Sequence, residues 1–224
     1  MLKLFATKVD DGWGGFEYNI KPLGYAVMIL VFLILLVVIS SLRKQERKST
    51  FSTKQLVFAA IAMALAVATS YLKLFDAPMG GSITLCSMLF ITLIGYWYGP
   101  AIGLTSAVAY GLLQLIIDPY VISLPQMFID YICAFGALGL SGFFTNKKHG
   151  LIKGYLLGIF GRFVFATLSG VIFFASYAGD MNPWIYSISY NFFYIAIEGA
   201  ITVVVIAIPQ VASALNEVKK FALE

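Results

Sequence analysis

Three residues carry charge inside otherwise apolar runs: Asp130, Arg162 and Glu198. At the centre of a membrane helix a charged side chain costs about 3 kcal/mol or more unless it is paired or wetted, so each is a candidate functional group. Asp130 stands about six residues from the outer end of its run, or about 9 Å at 1.5 Å per residue. Arg162 rises roughly 13 Å from the inner side, and Glu198 descends roughly 21 Å from the outer side. In a hydrocarbon core about 30 Å thick, Arg162 and Glu198 therefore share the inner half. An ion pair between neighbouring helices is the expectation there, with transport coupling or proton handling as the other reading. Asp130 has no evident basic partner at its own depth and lies among Gln126 and Tyr131. It reads as a ligand contact, with a helix-to-helix hydrogen bond as the alternative.

Asn191, Tyr194 and Glu198 follow at i, i+3 and i+7, on one helical face. Trp184 and Tyr177 fit an ordinary interfacial belt, whereas an amide at the depth of Asn191 must find a partner. A carboxylate, amides and aromatic faces in one outer half suit a small, flat ligand that is cationic or a polar heteroaromatic. Aromatic rings attract a cation through their quadrupole, and a few convergent polar groups among apolar walls are typical of small-molecule sites.

Other chemistry is poorly supplied. His149 is the single histidine, placed in a basic loop, and Cys86 and Cys133 sit in apolar runs without metal-ligand spacing. Nucleophilic catalysis needs a base with a fixed partner, so an enzyme is the weakest reading; no cofactor or metal is implied. There is no Gly-rich Lys-Ser/Thr phosphate loop. Uphill transport would need an ion gradient or an ATP-driven partner.

The elements that must position these groups follow from composition. Of 224 residues, 60% are hydrophobic and 12% charged, with a mean hydropathy of +0.89. A soluble domain carries about 25% charged residues, so the chain reads as an all-α integral membrane protein. Leu23 to Leu42 is an uninterrupted apolar run closed by Arg43-Lys44-Gln45-Glu46-Arg47-Lys48, the reverse of signal-peptide order; it is expected to span the bilayer, after a polar or interfacial tail over 1–22. Six further segments follow at approximately 54–74, 83–98, 100–117, 125–144, 153–178 and 184–210. The second and third are short and contain Gly95, Gly103 and Gly111, which suits close packing. With seven spans, the basic groups Arg43–Lys54, Lys147–Lys153 and Lys219–Lys220 share one side. The positive-inside rule puts that side in the cytoplasm and the N-terminus outside. The net charge of +4 thus marks membrane orientation rather than nucleic acid. The chain divides into a tail with an accessory helix (1–50) and a six-helix body (51–224).

Several motifs in that body recur in order. They are Met79-Gly80-Gly81-Ser82-Ile83-Thr84-Leu85, Tyr96-Trp97-Tyr98-Gly99, Tyr110-Gly111-Leu112-Leu113-Gln114-Leu115, Gln126-Met127-Phe128-Ile129-Asp130-Tyr131, Ser169-Gly170-Val171-Ile172-Phe173-Phe174 and Tyr186-Ser187-Ile188-Ser189-Tyr190-Asn191. Together they resemble the thiamine-specific S-component of energy-coupling factor (ECF) transporters, over roughly 52–210. The resemblance implies a bacterial cell-membrane subunit that captures thiamine, or a related vitamin, from outside. Its partners would be a transmembrane coupling subunit and two ATPase subunits.

Carried over by position, the resemblance places Asp130 where the family has a carboxylate facing the thiazolium end of thiamine. Tyr131, Tyr120, Gln126, Phe174, Tyr186 and Asn191 match ligand-site positions, and the loop 75–82, with Gly81 and Ser82, matches the one that caps the site. Ala60 and Ala64, at i and i+4, match the docking motif for the coupling subunit; an intramolecular Ala-rich seam over 59–68 is the other reading. Ala166 and Phe174 stand where a relative has histidine and tryptophan, which bears on affinity or substrate choice. A stand-alone proton-coupled vitamin permease is the alternative function.

Overall fold

Ser52 and Gln55 start the first long helix by reciprocal capping. The Ser52 hydroxyl accepts from Gln55 N–H at 3.2 Å, and Gln55 Oε1 accepts from Ser52 N–H at 3.0 Å, which satisfies two donors that a helix start leaves open. The computed structural model describes residues 6–10, 16–23, 26, 51–77 and 80–224. The capped helix is α1 (Thr53–Ser70), followed by a hairpin of β3 (Lys73–Asp76) and β4 (Ser82–Thr84). Earlier in the chain, β1 (Ala6–Asp10) pairs antiparallel with β2 (Phe16–Ile20). Then come α2 (Ser87–Tyr98), α3 (Pro100–Ile117), the composite helix α4 (Leu124–Phe144), α5 (Gly150–Phe173), α6 (Pro183–Ala207) and α7 (Pro209–Leu223).

Five of these helices are long and apolar enough to cross a membrane: α1, α3, α4, α5 and α6. The sixth member of the body, α2, has 12 residues, about 18 Å at 1.5 Å per residue. It is almost entirely enclosed, with Ile91 and Ile94 at zero exposure. Glycines allow that enclosure. A Cβ on Gly103 would lie 2.6 Å from the Gly95 Cα and 2.8 Å from the Gly139 carbonyl oxygen, so only backbone fits where α2, α3 and α4 meet. Small residues permit such approach between apolar helices.

Several sequence boundaries are corrected. Residues 83 and 84, expected to begin a helix, belong to strand β4, and α2 starts at Ser87. The expected loop 75–82 is part of the β3–β4 hairpin. The helix expected over 153–178 ends at Phe173 and gives way to a 3₁₀ turn, Ala175–Ala178. The run expected over 184–210 breaks at Ile208 because Pro209 has no N–H to continue it. Part of the tail over 1–22 pairs as the β1–β2 hairpin rather than lacking order of any period. The accessory span expected at 23–42 lies, apart from residues 23 and 26, outside the described residues.

Candidate functional site

Helix α4 changes pitch where its polar residues occur. After one α-turn (Leu124–Met127), Phe128–Ala134 is a π-helix and Ala137–Phe144 is 3₁₀. A π segment widens the helix and re-aims its side chains, and such segments recur at functional sites. Here it carries Asp130 and Tyr131. Gly111 on α3 lets this wide turn approach, since a Cβ there would collide with the Tyr131 carbonyl.

Asp130 is held rather than free. Its Oδ2 accepts from Gln126 Nε2 at 2.6 Å, one turn earlier. The same Gln126 amide donates to the Tyr120 carbonyl at 3.0 Å, and its Oε1 accepts from Ile122 N–H at 3.1 Å. Gln126 is thus a buried buckle between the α3–α4 loop and the carboxylate. Tyr131 Oη accepts from Tyr120 N–H at 2.7 Å and donates to the Asp118 carbonyl at 3.1 Å, which fixes the same loop from below.

These groups face a cavity of about 380 Å³. All nine residues matched to the ligand site by resemblance line it: Gly81, Ser82, Tyr120, Gln126, Asp130, Tyr131, Phe174, Tyr186 and Asn191. Aromatic rings flank its outer part. Tyr120 and Phe174 stack with centroids 5.9 Å apart and planes 25° apart, and Tyr186 and Tyr190 stack at 6.2 Å and 18°. The β3–β4 hairpin forms one wall, and its Gly81 N–H donates to Tyr190 Oη at 3.0 Å. At the rim Lys73 bridges Asp76 at 3.1 Å and Asp118 at 3.5 Å. The hydrogen bond to Asp76 raises the Lys73 ammonium above its ordinary value, so it stays charged through neutral pH.

Asn191 is buried and already occupied. Its Nδ2 donates to the Ser187 carbonyl at 2.9 Å and lies 3.3 Å from the Ala166 carbonyl, while its Oδ1 accepts from Tyr194 Oη at 2.8 Å. It retains one acceptor position. Ala166 and Ser169 also line the cavity. Tyr177 and Trp184 are 53% and 44% exposed, as interfacial belt residues should be.

The expected Arg162–Glu198 ion pair is not formed. Among the described residues the ion pairs are those of Lys73 and that of Lys220 with Glu217. Arg162 lies over the Phe135 ring, 4.3 Å from its centroid. Glu198, 3% exposed, accepts instead from Thr84 and Ser87 hydroxyls and from the Thr84 and Met88 amides. Similar depth did not mean contact, because depth counted in residues leaves rotation about each helix axis open. Both residues do line the cavity. Ser87 is a wall residue that the sequence did not name, and Thr84 and Tyr190, which stand within the quoted motifs, were not assigned to the ligand site.

Ala60 and Ala64 are exposed on α1, while Ala59, Ala62 and Ala66 form its packed face. The intramolecular seam therefore runs through the latter three. The outward pair is flanked by Leu56, Ile61 and Leu65, each at least 44% exposed.

Comparison with known proteins agrees with this geometry. The chain matches the family model described as Thiamine transporter protein over residues 56–217. It is 33% identical over 146 residues, 58% of this chain and 76% of the relative, to the thiamine transporter ThiT of Bacillus subtilis (strain 168). A solved structure of ThiT from Listeria monocytogenes shares the fold, with a TM-score of 0.57 and 23% identity over 70% of this chain and 96% of that one. With the matched region running from α1 into α7 and including every residue that lines the cavity, the chain belongs to the thiamine transporter protein family.

Proposed function

We propose that the chain captures thiamine in this cavity from the outer side of a bacterial cell membrane, as the substrate-binding S-component of an ECF-type importer. The observation that carries this reading is Asp130: a carboxylate on a π-helical turn, oriented by Gln126 and facing an aromatic-lined cavity, in a chain of the thiamine transporter family. The thiazolium is a flat organic cation. Asp130 balances its charge, while Tyr131, Tyr120 and Phe174 supply ring faces for stacking and cation–π attraction. The remaining acceptor of Asn191 and the Tyr186 side of the wall face the other ring. The Gly81–Ser82 wall covers the ligand from the side of the hairpin.

Energy comes from partners in this reading: a coupling subunit that docks on Ala60 and Ala64 and two ATPase subunits. The exposure of that small-residue pair on α1 supports it. Only 17% of the α1 membrane window is buried, against 33–50% in the other four long spans, which leaves α1 with the most free lateral surface. The N-terminus outside and the C-terminus in the cytoplasm follow the distribution of basic residues, and 1–50 is assigned as an accessory segment of the chain.

The test is a titration of the detergent-purified full chain with thiamine, followed by intrinsic fluorescence. Saturable quenching at or below micromolar thiamine is expected, because Tyr and Trp residues surround the cavity. No quenching by thiamine, with another vitamin active, overturns the substrate assignment. Liposomes that contain this chain alone should not accumulate thiamine under a proton gradient; accumulation would instead establish the proton-coupled permease.

A further inference from the structure

Glu198, 3% exposed, is the most buried carboxylate on the cavity wall, and its two oxygens meet donors from one short stretch of chain. Oε2 accepts from Thr84 N–H at 3.0 Å and from Thr84 Oγ1 at 2.7 Å; Oε1 accepts from Ser87 Oγ at 3.1 Å and from Met88 N–H at 3.3 Å. The two hydroxyls also lie 2.6 Å apart and share one proton between them, so the two amides and at least one hydroxyl donate to the carboxylate at a time. These donors belong to the last residue of β4 and to the first turn of α2. That junction has no cap of its own: Cys86, at the N-cap position, has φ of 59° and makes no side-chain cap bond. A left-handed conformation is costly for a residue with a Cβ, and a helix start leaves amides unsatisfied. A carboxylate from α6, seven residues after Asn191, takes the Met88 amide of that helix start, and it sits where the helix dipole favours negative charge.

The same helix holds the hairpin a second time. Tyr190, eight residues before Glu198, accepts the Gly81 N–H near the hairpin's turn. Helix α6 therefore grips the hairpin wall at both ends, by a phenol near the mouth and by a carboxylate at the floor. We propose that Glu198 is a positioning residue for the substrate site: its carboxylate sets where β4 and the start of α2 stand, and so where Gly81 and Ser82 face Asp130 across the cavity. The assignment of this cavity to thiamine is the reading above; the placement of the wall by Glu198 is independent of which ligand enters.

The experiment compares the full chain with Glu198→Gln, Thr84→Val and Thr84→Ser, first without ligand. Glutamine puts an NH₂ against donors. Valine removes one hydroxyl but keeps the amide, and serine keeps both. Hydrogen exchange over residues 82–88 should accelerate at least about tenfold in Glu198→Gln, less in Thr84→Val and not at all in Thr84→Ser, since bonds to charged acceptors are the strong ones. Exchange within α3 and α4 should stay at its original rate. With thiamine added, dissociation should quicken in the same order and by a larger factor than association slows, as is usual for variants of one interface. Unchanged exchange at 82–88, acceleration spread evenly over all helices, or a Thr84→Ser effect equal to that of Glu198→Gln would each overturn the proposal. If Glu198→Gln does not fold, Thr84→Val against Thr84→Ser still decides it. Failure of thiamine to bind the unaltered chain would sink the substrate reading and leave the exchange result standing.

Discussion

Asp130 depends on its setting more than on its type. A carboxylate in a membrane helix is tolerated only with partners, and Gln126 supplies one hydrogen bond from a single turn away. A carboxylate has about four acceptor sites, and the Gln126 bond uses one of them. The variant Asp130→Asn keeps shape and removes charge. Thiamine affinity measured by fluorescence should fall about tenfold to a hundredfold, since hydrogen bonds to charged groups are worth about 1.5–3 kcal/mol. Unchanged affinity would take Asp130 out of the ligand's reach. Gln126 acts differently: it joins Asp130 to the Tyr120 carbonyl and the Ile122 amide, so it orients the carboxylate and shapes the α3–α4 loop at once.

At the scale of elements, the cavity exists because three helices touch backbone to backbone. The contact of Gly103 with Gly95 and Gly139 draws α2, α3 and α4 together, while the π-helical turn carries Asp130 and Tyr131 on the cavity wall. A Gly103→Val substitution has no space at any rotamer, since the obstructing atoms are main chain. It should destabilise the protein by about 1–3 kcal/mol or more, as overpacking does, read as a lower thermal unfolding midpoint in detergent. A midpoint equal to that of the unaltered chain would show that the helices separate without cost. Gly111→Ala tests the other contact, where a methyl group meets the Tyr131 carbonyl. Because that carbonyl belongs to the turn bearing Asp130, the substitution should weaken thiamine binding together with stability. Loss of stability with full affinity would separate the turn from the site.

For the molecule as a whole, the proposed function assigns binding and energisation to different surfaces. The cavity lies inside the body, whereas Ala60 and Ala64 face outward on the least enclosed span. Replacing both by leucine should leave thiamine affinity of the isolated chain unchanged. It should abolish ATP-driven uptake in cells that express a complete ECF complex, because close helix approach requires small residues. Full uptake would place the docking surface elsewhere. Helix α7 closes the opposite end: Tyr98 Oη donates to the Ala222 carbonyl at 3.1 Å, and Lys219 lies 3.9 Å from the Tyr96 ring centroid while donating to the Thr145 carbonyl at 3.0 Å. Lysines read from sequence as orientation signals thus also have specific partners.

What the sequence by itself determined is whatever depends on composition along a line. Apolar runs of 18 residues or more declare membrane spans, prolines and glycines punctuate them, and motifs in order identify the family and name the wall residues. What only the tertiary structure decided is rotation about each helix axis, and with it who meets whom. Arg162 and Glu198 lie at comparable depth, yet one turns to Phe135 and the other to the β4–α2 junction. Ala59 and Ala60 are neighbours in the chain, yet one is packed and the other exposed. The strand at Ser82–Thr84 was hidden for the same reason: its partner Lys73–Asp76 and the carboxylate that holds its end come from other parts of the chain. Periodicity reports a local pattern, and a contact between distant residues is fixed only when the helices have packed.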